Sequence, residues 1–167
     1  MTKFLKHDAS GGFTEAEAAQ TGGGGNANTI AALDASGRLD STMMPTGVGA
    51  ETVVIQAAGN LAAGDLVNLY EAAGVSRVRK ADASAAATFA NGFVIAAVTS
   101  GNDATVYLGG ILSGLTGLTV GKTFLSTTPG VATAVPPTST GNIVQSIGFA
   151  VDATSIAIDF KSPIVLA

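Results

Sequence analysis

The stretch Asn142-Ile-Val-Gln-Ser-Ile-Gly-Phe-Ala-Val-Asp-Ala-Thr-Ser-Ile-Ala-Ile-Asp-Phe160 decides the fold. It holds two segments rich in β-branched residues, 142–151 and 155–160, on either side of Asp152-Ala153-Thr154. Asp and Thr favour turns, and a connection this short joins neighbouring antiparallel strands. The stretch therefore predicts a pair of antiparallel strands, and with it an antiparallel β fold.

The same pattern of short apolar segments separated by turn residues recurs from about residue 51 to residue 167. Further turn signals stand at Ser100–Asp103 and Thr128–Gly130, and a helix is expected only around 81–87. Short strands with no long helical periodicity between them predict an all-β domain, either an antiparallel barrel or a sandwich. The nine predicted strands are Thr52–Gln56, Asp65–Tyr70, Val75–Lys80, Gly92–Thr99, Ala104–Leu108, Lys122–Ser126, Val131–Val135, Asn142–Val151 and Ser155–Phe160.

Two other zones precede this β domain of residues 51–167. Residues 1–28 are polar and rich in small side chains, with four consecutive glycines at 22–25, and predict a flexible N-terminal arm. Within the arm, Thr14–Gln20 has the capping residues for one or two helical turns, which would need a partner to be stable. Residues 29–50 predict a short fibre-like or hairpin attachment segment with a turn at Asp34–Gly37.

The composition is typical of a protein that works in an assembly. Charged residues make up 12% of the chain, about half the usual share, while 47% of the residues are apolar. We therefore expect neighbouring subunits to cover part of the apolar surface. With 8 Lys and Arg against 12 Asp and Glu, the net charge of −4 gives no basic surface for nucleic acid. The uncharged run 104–121 contains five glycines, so we expect strands there and no membrane span.

The residues do not supply an active site. The chain has no Cys, and its only imidazole is His7 in the predicted arm, which argues against Ser-His-Asp and thiol chemistry. From residue 84 onward the only acids are Asp103, Asp152 and Asp159, and the first two fall in predicted turns. The Asp34–Asp40 loop lacks the bidentate Glu of a calcium site. We expect no enzymatic activity, no cofactor and no metal.

One basic cluster stands out in the β domain. Arg77, Arg79 and Lys80 lie in a predicted strand, where alternation places Arg77 and Arg79 on one face. A solvated face or a charged sheet edge explains such a cluster, and contact with an anionic partner is the sharper alternative.

Several segments resemble structural proteins of tailed bacteriophages, including capsid decoration proteins and head fibre proteins. Ile30–Pro45 is similar to a segment of such proteins, and Gly64–Leu69, Phe124–Gly130 and Gly141–Gly148 are similar to their β domains. Together these segments cover residues 30 to about 160, and their order along one small chain carries the resemblance.

The resemblance implies a decoration or cement protein with no chemistry of its own. It would be made in the host cytoplasm and would bind the major capsid protein as a homotrimer on the outer capsid surface, stabilising the shell. The fibre-like segment keeps an alternative open, in which the chain is a tail fibre or receptor-binding module that recognises a host-surface glycan.

The expected contact residues are apolar side chains in segments too small to bury them. For the capsid shell we expect Phe4, Leu5 and Phe13. For shell or subunit contacts we expect Ile30, Leu33, Leu39, Met43 and Met44.

Overall fold

A computed structural model describes residues 3–7, 10–22, 29–35, 37–40, 43–44 and 50–167. The chain divides into two compact units, Met1–Gly49 and Ala50–Ala167.

The N-terminal unit begins with a β-hairpin. Strand β1 (Lys3–His7) pairs antiparallel with β2 (Phe13–Glu17), with Phe4 opposite Ala16 and His7 opposite Phe13. The helical turns predicted over Thr14–Gln20 are therefore wrong. Phe13 and Thr14 favour extended backbone, and pairing with β1 satisfies backbone groups that an isolated helical turn leaves open.

After the hairpin, residue 19 pairs with a segment that follows later in the chain. Ala19 forms a parallel bridge with Ala31, and the Ala19 amide donates to the Ile30 carbonyl at 3.0 Å. The predicted turn at Asp34–Gly37 is confirmed, since the Gly37 amide donates to the Asp34 carbonyl at 3.0 Å. The glycines after Gly22 and the end of the attachment segment, residues 45–49, lie outside the described residues.

The first sheet of the second unit has five antiparallel strands in the order β3-β7-β6-β4-β5. These strands are β3 (Thr52–Gln56), β4 (Leu66–Ala72), β5 (Val75–Lys80), β6 (Gly92–Phe93) and β7 (Asp103–Tyr107). β3 and β5 match their predicted bounds, whereas the strand predicted over Gly92–Thr99 ends at Phe93. A single 3-10 turn, Ala86–Thr88, replaces the helix expected around 81–87.

The first sheet curls until its two edges meet. Ala57, just after β3, forms a parallel bridge with Val78 of β5, and the Ala58 amide donates to the Val78 carbonyl at 2.8 Å. The curl encloses a small apolar core on the concave side, formed by Ala57, Leu61, Val67, Val78, Val94, Ala104 and Val106.

The second sheet also has five antiparallel strands, in the order β10-β9-β12-β13-β8. Its strands are β8 (Gly110–Leu112), β9 (Gly121–Leu125), β10 (Ala132–Thr133), β12 (Ser146–Ala150) and β13 (Ile156–Ile158), while β11 (Ile143–Val144) pairs with β14 (Ile164–Val165). The turn predicted at Asp152–Thr154 joins β12 to β13 and confirms that pair of antiparallel strands. The nine predicted strands include neither β14 nor β8, although β8 lies in the run 104–121 where strands were expected.

A second and larger core joins the two sheets. It contains Leu66 and Phe93 from the first sheet and Leu112, Leu125, Ile147 and Ile156 from the second, all buried. The all-β antiparallel prediction is confirmed. The edges of the first sheet touch at the Ala57–Val78 bridge but β3 and β5 do not pair as strands, so neither sheet is a closed barrel. In the part of the chain that the structure describes, no helix is long and apolar enough to cross a membrane.

The strand predicted over Asn142–Val151 is interrupted by Gln145. Its buried amide accepts from the Ala90 amide at 2.8 Å and donates to the carbonyls of Ala90 and Lys161 at 2.7 and 3.0 Å. The side chain thus ties three segments together where β11 ends and β12 begins. A polar residue in an apolar segment is the only sequence sign of this break.

Gly92 gives a test of the concave core. A Cβ there would overlap the Cγ1 of Val106 and lie 3.1 Å from the Tyr107 carbonyl oxygen. We expect Gly92→Ala to lower the free energy of unfolding by about 1–3 kcal/mol, because the packed core has no room for a methyl group. Urea unfolding measures the loss.

Gly109→Ala is the matched control, since a Cβ at Gly109 would meet nothing within 4 Å. Equal unfolding midpoints for the two variants would contradict the packing described for Gly92.

Candidate interaction surfaces

The hairpin places the three predicted shell-contact residues on two different faces. Alternation and the β1–β2 register put Leu5 and Phe13 on one face and Phe4, opposite Ala16, on the other. Leu5 and Phe13 are each 70% exposed, whereas Phe4 is half-buried. We call Leu5, His7 and Phe13 the hairpin face. The His7 and Phe13 rings meet edge to face with their centres 4.8 Å apart.

The apolar residues of the attachment segment also lie at the surface. Ile30, Leu33, Leu39 and Met44 are exposed, and Met43 is half-buried. Hydrogen bonds from Gln20 Nε2 to the Leu33 carbonyl and from Ala32 to the Ala19 carbonyl hold the segment against residues 19–20. None of the described residues of Met1–Gly49 is buried, so these residues form no core among themselves.

The basic cluster has partners within the β domain. Arg79 donates to Asn68 Oδ1 at 3.0 Å and to the Ala87 carbonyl at 2.9 Å, and its guanidinium lies 4.3 Å from the centre of the Tyr70 ring. Arg77 donates to Gln56 Oε1, across the seam where the edges of the first sheet meet. Contact with an anionic partner stays a prediction. To bind such a partner, Arg77 and Arg79 would have to keep their hydrogen bonds within the β domain or exchange them for bonds to the partner.

Lys80 belongs to a separate ion pair. Its ammonium lies 2.9 Å from Asp65 Oδ2, which also accepts from the Ala62 amide at 2.6 Å. Asp65 is buried, and Gly130 approaches it so closely that a Cβ there would lie 2.9 Å from the carboxyl carbon. The pair fixes the entry to β4, where the Leu66 amide donates to the Gly130 carbonyl at 2.9 Å.

The acids after residue 84 occupy local structural positions. Asp152 Oδ1 accepts hydrogen bonds from the amide and the hydroxyl of Thr154 at 2.6 and 2.8 Å. The bond from the hydroxyl, followed by the bond from the amide, lowers the pKa of the Asp152 carboxyl. Asp159 pairs with Lys161 at 2.8 Å, and Asp103 begins β7 rather than lying in the turn. Among the described residues, no three His, Asp or Glu side chains gather as a metal site would require.

The two tyrosines are engaged in packing. The Arg79 guanidinium lies over the Tyr70 ring. The Tyr107 ring stacks on the Phe93 ring with the two centres 5.4 Å apart. Neither ring is exposed, which leaves no open phenol platform for sugar stacking.

Sequence reasoning missed an apolar surface on the second sheet. Phe149 is 51% exposed although its neighbours Gly148 and Ala150 are buried, so it points away from the shared core. On the same side, Phe149 lies opposite Lys122 and Ala157, and Ala157 lies opposite Ile111.

A shallow groove of about 520 Å³ lies beside Phe149, and Lys122, Ala157, Asp159 and Lys161 are among the residues that line it. We call Ile111 and Phe149 the apolar face of the second sheet. The segment 147–151 is apolar on both sides of the strand, so its pattern does not indicate which side meets solvent.

The structural role of Arg79 can be tested. Lysine cannot reproduce two directed hydrogen bonds and stacking on Tyr70, so we expect Arg79→Lys to lower the free energy of unfolding by about 1–2 kcal/mol. The exposed Arg38 provides the matched control, since Arg38→Lys should change stability by less than about 0.5 kcal/mol. A variant as stable as the unmodified chain would show that these contacts contribute nothing.

Comparison with known proteins gives a likeness in structure but none in sequence family. No family model matches the chain, and no curated protein matches it. Among solved structures, the N base of head fiber gp8.5 of bacteriophage phi29 is similar at 16% sequence identity and a TM-score of 0.44, over 70% of this chain and 93% of that chain.

Proposed function

We propose that this chain is a structural protein of a phage virion that binds the outer surface of the capsid and stabilises the shell. The observation that carries the proposal is the N-terminal unit, in which no described residue is buried while Leu5 and Phe13, diagonal neighbours on one face of the hairpin, are each 70% exposed. A two-stranded hairpin without a core is marginal in water, so its exposed face is best explained by a partner surface.

The energetics of this contact suit a protein bound in many copies. Leu5 and Phe13 are each mostly exposed, and covering each one contributes about 1–2 kcal/mol. One hairpin therefore binds weakly, whereas linked copies engage together and bind far more tightly. A protein that binds only the assembled shell stabilises that state by mass action.

The partners follow from the same proposal. The hairpin face contacts the major capsid protein, and the β domain stays outside the shell. The resemblance of residues 30–160 to phage decoration and head fibre proteins supports the capsid surface as the location and a homotrimer as the assembly. The net charge of −4 argues against the packaged nucleic acid as a partner.

The alternative of a glycan-binding tail fibre is not favoured by any particular feature of the described surface. Both phenol rings are packed against other side chains rather than presented to solvent. Saturable binding in a glycan screen, without binding to capsid shells, would make it the better assignment.

The hairpin face provides the test. In co-sedimentation with undecorated capsid shells of the source virus, we expect the full chain to bind saturably. The Leu5→Ser/Phe13→Ser variant should bind at least about tenfold more weakly, because it removes both apolar contacts.

Thr14→Ser is the control, because Thr14 lies on the opposite face of the hairpin and the change is small. Unchanged binding by the double variant would contradict the proposed hairpin contact. Absence of binding by the unmodified chain would contradict the capsid assignment itself.

A further inference from the structure

Asn91 and Gly92 are the only asparagine in the chain that is followed by glycine, and they stand where β6 begins. Asparagine is a thermolabile residue, and it deamidates most readily before glycine, because no side chain there keeps the next backbone nitrogen from the carboxamide. The packing nevertheless requires glycine at position 92, since a Cβ there would overlap Val106. A reactive pair is therefore built into the first sheet.

Deamidation of this pair needs no enzyme and no reactant other than water. The Gly92 nitrogen gives up its proton to solvent and attacks Cγ of Asn91. The bond from Cγ to Nδ2 breaks, and the leaving nitrogen takes up a proton and departs as ammonia. Water then opens the cyclic succinimide at either carbonyl. The product is aspartate, or isoaspartate, in which the main chain runs through the former side chain and is longer.

In the folded chain the Asn91 side chain is held by the neighbouring strand β4. Its Oδ1 accepts from the Leu69 amide at 2.8 Å, and its Nδ2 donates to the Leu69 carbonyl at 3.4 Å. The Asn91 amide donates to the Val67 carbonyl at 3.0 Å, and Gly92 is buried opposite Val67. A carboxamide held on β4 by both of its polar atoms is not free to close on the next amide nitrogen.

We propose that Asn91 is a modification site that the fold keeps closed and that opens when β6 separates from β4. The strand β6 consists of Gly92 and Phe93 alone and lies between β4 and β7. When strands open and close faster than a slow chemical step proceeds, the rate of that step follows the fraction of open molecules. The rate of deamidation at Asn91 therefore measures how often the first sheet opens.

The modification also makes an opening irreversible. Aspartate at position 91 would keep an acceptor for the Leu69 amide, but it would set a carboxylate oxygen where Nδ2 now donates to the Leu69 carbonyl. Isoaspartate would lengthen the main chain just before Phe93, which is buried and stacks on Tyr107. Each product opposes the return of β6 to its place, so the intact contacts of Asn91 contribute to kinetic stability.

Peptide mapping by mass spectrometry tests whether the fold closes the site. The full chain is kept at mildly alkaline pH, folded or unfolded in urea, and aspartate and isoaspartate at position 91 are followed over time. We expect the folded chain to react at least about fiftyfold more slowly, because few molecules are open at any moment. A folded chain that reacts within about threefold of the unfolded rate would overturn the proposal.

A variant with a loosened β6 links the rate to the opening. Phe93→Leu removes the stacking on Tyr107 but keeps an apolar side chain, and should raise the folded-state rate about fivefold or more. Phe149→Leu is the matched control, because Phe149 is half-exposed on the second sheet and the same change there should leave the rate unchanged. Once unfolded in urea, both variants should react like the unmodified chain.

The unmodified chain gives the same test without a substitution. Its rate should climb with each step of urea below the unfolding transition, because strand separation exposes surface that urea solvates. A rate that stays constant until the chain unfolds would show that the reaction does not pass through this opening, and the proposal would fail.

Asn91→Asp tests the consequence of the modification. This variant should unfold at a lower urea concentration than the unmodified chain. Asn60→Asp is its control and should not, because the exposed Asn60 accepts from the Ser100 amide through Oδ1, which aspartate retains. A fully stable Asn91→Asp, with isoaspartate-containing chains that refold to the unmodified midpoint, would refute the irreversibility. None of these measurements involves shell binding, so their failure leaves the capsid proposal untouched.

Discussion

The structure of the second unit depends on one packing constraint, which is that the first sheet must bury apolar side chains on both of its sides. Leu66 and Val67 are consecutive residues of β4, and both are fully buried, although successive residues of a strand point to opposite faces. One sheet cannot supply two cores by itself. The concave side is closed by curling until Ala57 meets Val78, and the convex side is covered by the second sheet through Leu66 and Phe93.

The remaining features follow from that arrangement. One side of the second sheet packs against the shared core. On its other side, no part of the second unit is packed over Ile111 and Phe149. Curling brings the edges of the first sheet together, where Arg77 donates to Gln56 across the seam. Arg77, Arg79 and Lys80, which the sequence offers as a contact surface, thus make hydrogen bonds and an ion pair within the second unit. Exposed apolar side chains include Ile111 and Phe149 on the second sheet and Leu5 and Phe13 on the N-terminal hairpin.

The sequence predicted correctly those strands and turns whose residue pattern lies within a few neighbouring positions. Thr52–Gln56 and Val75–Lys80 are strands with the expected bounds, and Asp152–Thr154 is the expected turn, because side chain and backbone there decide the conformation together. Prediction failed where distant residues decide. Phe13–Glu17 is a strand because β1 pairs with it, and Gln145 breaks a strand because Ala90 and Lys161 lie beside it. The apolar face of the second sheet was missed because Ile147 and Phe149 look alike in sequence, although only Ile147 reaches the core.

The proposed function requires the N-terminal hairpin to become ordered against a capsid shell. Amide hydrogen exchange of the full chain, free and bound to undecorated shells, measures this ordering. Because the hairpin has no core, its amides should exchange rapidly in the free chain, and those of residues 3–7 and 13–17 should slow at least about tenfold on binding. Protection confined to the β domain, with the hairpin amides exchanging as fast on the shell as in solution, would contradict the claim.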